Sequence, residues 1–122
     1  MQHNSDFLAL IDEIMPQVQE IHAEQVLAKQ QAGDDFAFID VREDHEWQQG
    51  HAQGAIHVGR GILERDIAKV VADKQRAIIL YCGGGFRSAL AAVNLQKMGY
   101  QHVFSMAGGM RAWQDLGYPL AQ

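Results

Sequence analysis

A chain of 122 residues, 48% of them hydrophobic, suits one compact domain with its own core and excludes a disordered tail. The formal charge of −5 disfavours a nucleic-acid partner. No apolar run nears the roughly 18 residues of a membrane span, and Met1 to Asp6 lack the basic and apolar stretches of a secretory signal. In chain order, Phe7, Leu8, Leu10, Ile11, Ile14, Met15 and Val18 recur at helical spacing. Asn4 or Ser5 can cap that helix, and Pro16 predicts a kink or stop. Residues 22–31 read as a second helix, with Val26 and Leu27 inward and Gly33 at its end. The apolar run at 36–41 reads as a strand buried on both faces. A short polar helix at 43–49, a short strand at 55–58 and a helix within 61–71 follow; Ile62, Leu63, Ile67 and Val70 form the apolar side of that helix. A strand at 77–81, a helix at 88–98, a strand at 102–105 and a last helix containing Trp113 complete the pattern. Strands alternate with helices, so the economical fold is an α/β sandwich with a mainly parallel sheet.

The only cysteine, Cys82, stands where the strand at 77–81 meets a loop of three glycines, Gly83, Gly84 and Gly85, followed by Phe86, Arg87 and Ser88. A single cysteine excludes an internal disulfide and fits a reducing compartment, so a cytoplasmic setting is expected. Ligand sites of parallel sheets lie beyond the carboxyl ends of strands, where Cys82 and Asp40 both fall. A glycine-rich loop before a helix aims backbone N–H groups inward and adds partial positive charge. A thiol there is expected to ionise readily, and the thiolate is the reactive form. Arg87 opposes the helix dipole, which calls for an anion in the loop or a bracing partner. Arg60 and Arg65 are further cations for an anionic substrate. Ser88 reads as a helix-cap hydroxyl within reach of the sulfur. Asp40 and Arg42 read as structural support that ties a strand end to a neighbouring loop. His51 reads as an architectural histidine, and the other histidines show no metal-ligand spacing.

Four segments together resemble the rhodanese-like sulfurtransferase family. They are Phe38-Ile39-Asp40-Val41-Arg42, Gly50-His51-Ala52-Gln53-Gly54-Ala55-Ile56, Cys82 through Arg87, and Gly108-Gly109-Met110-Arg111-Ala112-Trp113 with Gly117 and Pro119. The resemblance implies a three-layer sandwich with a mainly parallel sheet of about five strands and helices on both faces. It implies a domain over 21–120, with 1–20 as an added helical extension. It further implies transfer of sulfane sulfur through a Cys82 persulfide, from thiosulfate or a persulfide donor to cyanide, a thiol or a protein. Residues 83–88 would bind the donor, and no metal or organic cofactor would be required. The stretch Gly59-Arg60-Gly61-Ile62-Leu63-Glu64 is similar to a Pro-Arg-Gly-x-Leu-Glu segment of one branch, in which the arginine borders the pocket. Cell-cycle phosphatases of related fold have a loop one residue longer, so the six-residue Cys82–Arg87 loop favours sulfur over phosphorus. The alternatives are a phosphatase or arsenate reductase with the same anion loop, and a non-catalytic binding module.

Overall fold

The computed structural model describes residues 3–122. Helix α1 (Ser5–Ile14) starts at Asn4, whose Oδ1 accepts from the Phe7 amide at 2.7 Å. That bond satisfies an N–H group with no partner inside the helix. Pro16 cannot continue the ladder, and Met15–Gln17 tighten into a 3-10 turn. A three-residue strand, β1 (Gln19–Ile21), comes next, then α2 (Ala23–Ala32), at whose start the His22 N–H donates to Gln25 Oε1 at 2.9 Å.

The remaining elements are β2 (Ala37–Asp40), α3 (Asp44–Gln48), β3 (His51–Ala52), β4 (Ile56–His57), α4 (Leu63–Val70) and β5 (Ile78–Tyr81). After these come α5 (Phe86–Lys97), β6 (Val103–Met106), α6 (Gly109–Asp115) and β7 (Leu120–Ala121). Five strands form one sheet in the order β1-β6-β5-β2-β4, and every neighbouring pair is parallel. Strands β3 and β7 pair separately and antiparallel.

Period-two alternation sends neighbouring residues of the central strands into two different cores. Ile39, Val41, Ile78, Leu80 and Cys82 pack with Leu63 and Ile67 of α4 and with Ala91, Ala92 and Leu95 of α5. Phe38, Ile79 and Tyr81 pack with Val26 of α2 and with Met110 and Trp113 of α6. The molecule is therefore a three-layer α/β sandwich with a parallel five-stranded sheet. Helix α1 lies against α5 and buries Ile11.

Two departures from the sequence pattern concern short segments. β1 has no alternation of its own, since Gln19 and Glu20 are exposed and only Ile21 is buried. It exists because β6 offers it a ladder, with Gln19 opposite Phe104 and Ile21 opposite Met106. The boundary expected after residue 20 falls inside this strand. Ile62 does not join the buried side of α4; it precedes the helix and is 42% exposed.

Candidate active site

Strand β5 is central, flanked by β6 and β2, and Cys82 follows its last residue. The Cys82 side chain is 1% exposed. Its Sγ accepts hydrogen bonds from the backbone N–H of Gly85 at 3.1 Å and of Ser88 at 3.4 Å. The Ser88 hydroxyl lies 3.5 Å from the same sulfur. Loop and helix start thus converge on Sγ from one side, as oriented dipoles around an anion do.

Only one of the three loop glycines has backbone geometry that demands glycine. Gly85 adopts φ 106°, and an added Cβ would sit 3.3 Å from the Gly108 nitrogen. Gly84 has no positive φ and nothing within 4 Å of an added Cβ. The backbone requirement for glycine in this loop therefore concentrates at Gly85. Gly83 is intermediate, with Arg87 Nη2 3.2 Å from its would-be Cβ.

The back of the loop is held by α6. Met110 N–H donates to the Cys82 carbonyl at 2.7 Å, and Arg111 N–H donates to the Gly83 carbonyl at 3.1 Å. These bonds fix the two peptide planes whose carbonyls would otherwise be free to turn toward the sulfur. The approach requires Gly109: a Cβ there would collide with the Cys82 carbonyl oxygen and sit 2.9 Å from the Gly83 carbonyl.

Arg87 leaves the loop toward α3. Its Nη1 and Nη2 donate to the two oxygens of Glu46 at 2.9 and 3.2 Å. The bidentate bond from Arg87, chiefly, draws the Glu46 carboxyl down to about 2. Glu46 in turn raises Arg87, and the Cys82 sulfur adds a smaller contribution in the same sense. Glu46 also accepts from the Glu43 amide at 3.0 Å, so the pair fastens the loop to the start of a neighbouring helix.

The flanking residues divide clearly. Asp40 is fully buried and accepts from Arg42 through its backbone N–H, Nε and Nη2 at 2.8–3.1 Å. Arg42 Nη2 also donates to the Gly50 carbonyl at 2.8 Å, which joins the end of β2 to the loop before β3. Burial alone would lower the Arg42 pKa, but Asp40 outweighs it and the net direction is upward. His51 stacks flat on Trp47, with ring centroids 3.4 Å apart. Arg60 is paired with Glu64 at 2.8 Å, and Glu64 accepts from Asn94 of α5 at 2.7 Å. Among the described residues, no hydrogen bond or ion pair joins Arg60 to residues 82–88. Arg65 is exposed and paired with Asp66. Phe86 contacts His3 and Phe7, with centroids at 5.1 and 5.9 Å, so α1 reaches the loop.

Sequence reasoning did not single out Glu46, Ser105, Gly109 or Tyr81 as contributors to this site. Ser105 is the penultimate residue of β6, beside β5, and sits 2.8 Å from the Ser88 hydroxyl. The Tyr81 hydroxyl accepts from the Ala52 amide at 3.1 Å and ties β5 to β3. Ser105 and Tyr81 lie at carboxyl ends of strands, which was the one signal available for them.

The family model for the rhodanese-like domain matches residues 22–116. The thiosulfate sulfurtransferase PspE of Escherichia coli is 40% identical over 82 residues, covering 67% of this chain and 75% of that protein. The thiosulfate sulfurtransferase GlpE of Coxiella burnetii is 30% identical over 80 residues, covering 66% of this chain and 73% of that protein. A solved structure from Rhodopseudomonas palustris, described as a possible tyrosine phosphatase, superimposes with a TM-score of 0.88 at 28% identity. It covers 99% of this chain and 98% of its own, α1 included. The chain belongs to the rhodanese-like domain family. Its curated relatives above are named as sulfurtransferases.

Proposed function

We propose that this chain is a rhodanese-type sulfurtransferase that carries sulfane sulfur on Cys82. The observation that carries the reading is the convergence of the Gly85 and Ser88 amides on a buried Sγ at the end of the central strand. Such donors stabilise a thiolate and then the anionic outer sulfur of a persulfide, with no reorganisation during reaction. The Cys82 thiolate attacks the outer sulfur of thiosulfate or of a persulfide. A new S–S bond forms, the donor's own S–S bond breaks, and sulfite or a thiolate leaves with the electron pair. An acceptor nucleophile such as cyanide, a thiol or a protein thiolate then attacks the outer sulfur, and the pair returns to Sγ. The sequence balances without metal, organic cofactor or external oxidant. Residues 83–88 form the donor pocket in this scheme. Asp40, Arg42 and His51 support its walls, and Arg60 is assigned to the wall of α4 and α5 through Glu64 and Asn94. The cytoplasm, where thiols stay reduced, is the proposed setting. A phosphatase reading asks the loop to surround the tetrahedral oxygens of a phosphate, and the six-residue Cys82–Arg87 loop is one residue short of the phosphatase loop.

Intact mass measurement after incubation with thiosulfate tests the proposal. Wild type gains about 32 Da, removable by cyanide or dithiothreitol, and Cys82→Ser gains nothing. Equal uptake by Cys82→Ser, or none by wild type with either thiosulfate or a persulfide donor, would falsify it.

A further inference from the structure

Beneath the sulfur lies a pair of buried hydroxyls. Ser88 and Ser105 are both fully buried, and their Oγ atoms are 2.8 Å apart. Ser88 Oγ has two other neighbours, the Gly85 carbonyl at 3.2 Å and Cys82 Sγ at 3.5 Å. Each hydroxyl has one proton to donate. Ser88 Oγ is the only hydrogen-bond partner of Ser105 Oγ among the described residues. Were Ser88 to donate to Ser105, the Ser105 proton would be buried without an acceptor, which costs about 1–3 kcal/mol. The proton of Ser105 therefore points at Ser88, and the proton of Ser88 is left for Gly85 or Cys82.

We propose that Ser105 is a positioning residue for sulfur transfer: by donating to Ser88 Oγ it holds that hydroxyl beside Cys82 Sγ and polarises its O–H as a donor to the thiolate. With Cys82 protonated, S–H donates to Ser88 and the Ser88 proton rests on the Gly85 carbonyl. Once Sγ carries charge, the same proton turns to Sγ. Gly85 O keeps the Ala89 amide as a donor at 3.3 Å, so the turn leaves no carbonyl stranded. Sγ then has the Gly85 N–H, the Ser88 N–H and the Ser88 hydroxyl as donors. The third donor matters most in the unloading step. There an acceptor thiolate bonds to the outer sulfur, the bond between that sulfur and Sγ breaks, and the electron pair returns to Sγ as a leaving thiolate. Stabilising the departing charge lowers that barrier.

The inference rests on the sulfurtransferase reading and is tested by single-turnover kinetics on the full chain. Cys82 is first loaded from thiosulfate, and removal of the sulfur by dithiothreitol is followed by mass. Ser105→Ala slows unloading by about three- to tenfold, the size expected for losing the neutral hydrogen bond that holds and polarises the Ser88 hydroxyl. Ser105→Thr, which keeps the hydroxyl, restores it. In a Ser88→Ala background, Ser105→Ala adds no further loss, because the effect of Ser105 passes through Ser88. Ser105→Gly serves as a second variant without the hydroxyl, and thermal unfolding of each variant separates loss of fold from loss of rate. Unloading by Ser105→Ala within twofold of wild type overturns the inference while leaving the sulfurtransferase reading intact, and so does an equal slowing in the Ser88→Ala background. A wild-type chain that never takes up sulfur overturns both.

Discussion

At the scale of single residues, the loop depends on two glycines in different segments. Gly85 holds a backbone angle that L-residues avoid, and Gly109 leaves room for the carbonyls of Cys82 and Gly83. Gly85→Ala is expected to cost at least about 1–2 kcal/mol and to reduce persulfide formation, whereas Gly84→Ala leaves both near wild type. Thermal unfolding and the mass assay check this pair, and equal behaviour of the two variants would refute it. Gly109→Ala has backbone atoms to collide with, so the larger loss of stability is expected there. Glu46 supplies a pH signature. Its carboxyl falls from an ordinary 4.5 to about 2 on folding. A lowered folded-state value gives stability that is present above 4.5 and lost as pH falls toward 2. Both partners keep substantial solvent contact, so the pair contributes about 1 kcal/mol or less. Glu46→Gln should flatten the decline in unfolding midpoint over that acid range. A wild-type slope retained in the variant would count against the pair. The thiol at a strand end was legible in the sequence, because glycines and a helix start mark it locally. The ion-pair partner of Arg87 was not, because Glu46 lies 41 residues away and local pattern says nothing about which helix docks there.

At the scale of elements, α1 carries one contact that bears on the site. Asn4 caps it and Ile11 anchors it, and Phe7 meets Phe86, the residue that follows Gly85. Phe7→Ala is expected to cost about 1 kcal/mol for the lost aromatic pair and to speed hydrogen exchange at the Gly85 amide. Leu10, 44% exposed on the same helix, is the comparison site, and Leu10→Ala should leave that amide unchanged. Equal exchange in the two variants would remove α1 from the account of the loop. The helix itself was legible from its spacing and cap. Its destination was not, since an apolar stripe states that something covers it and not what.

At the scale of the whole molecule, β1 closes the edge of the sheet beside β6. A chain starting at residue 22 would bare the β6 edge and lose Ile21 from the core, and uncovered edges invite association. Such a chain should unfold at lower temperature and elute as larger species than one starting at residue 18, which retains β1. Matching stability and size in the two would mean that the strand is dispensable. The sequence by itself determined the alternation of strands and helices, the burial of the central strands and the location of Cys82 in a glycine loop. These follow from side-chain periodicity and backbone sterics within short windows. Only the tertiary structure decided that β1 exists, that Arg87 meets Glu46, that α6 grips the Cys82 carbonyl and that Ser105 backs Ser88. The serine pair joins residues 17 apart, and each of these contacts requires segments whose own patterns are mute about their partners. The physical reason is that packing chooses among many compatible neighbours only when the sheet order and every helix face are set together.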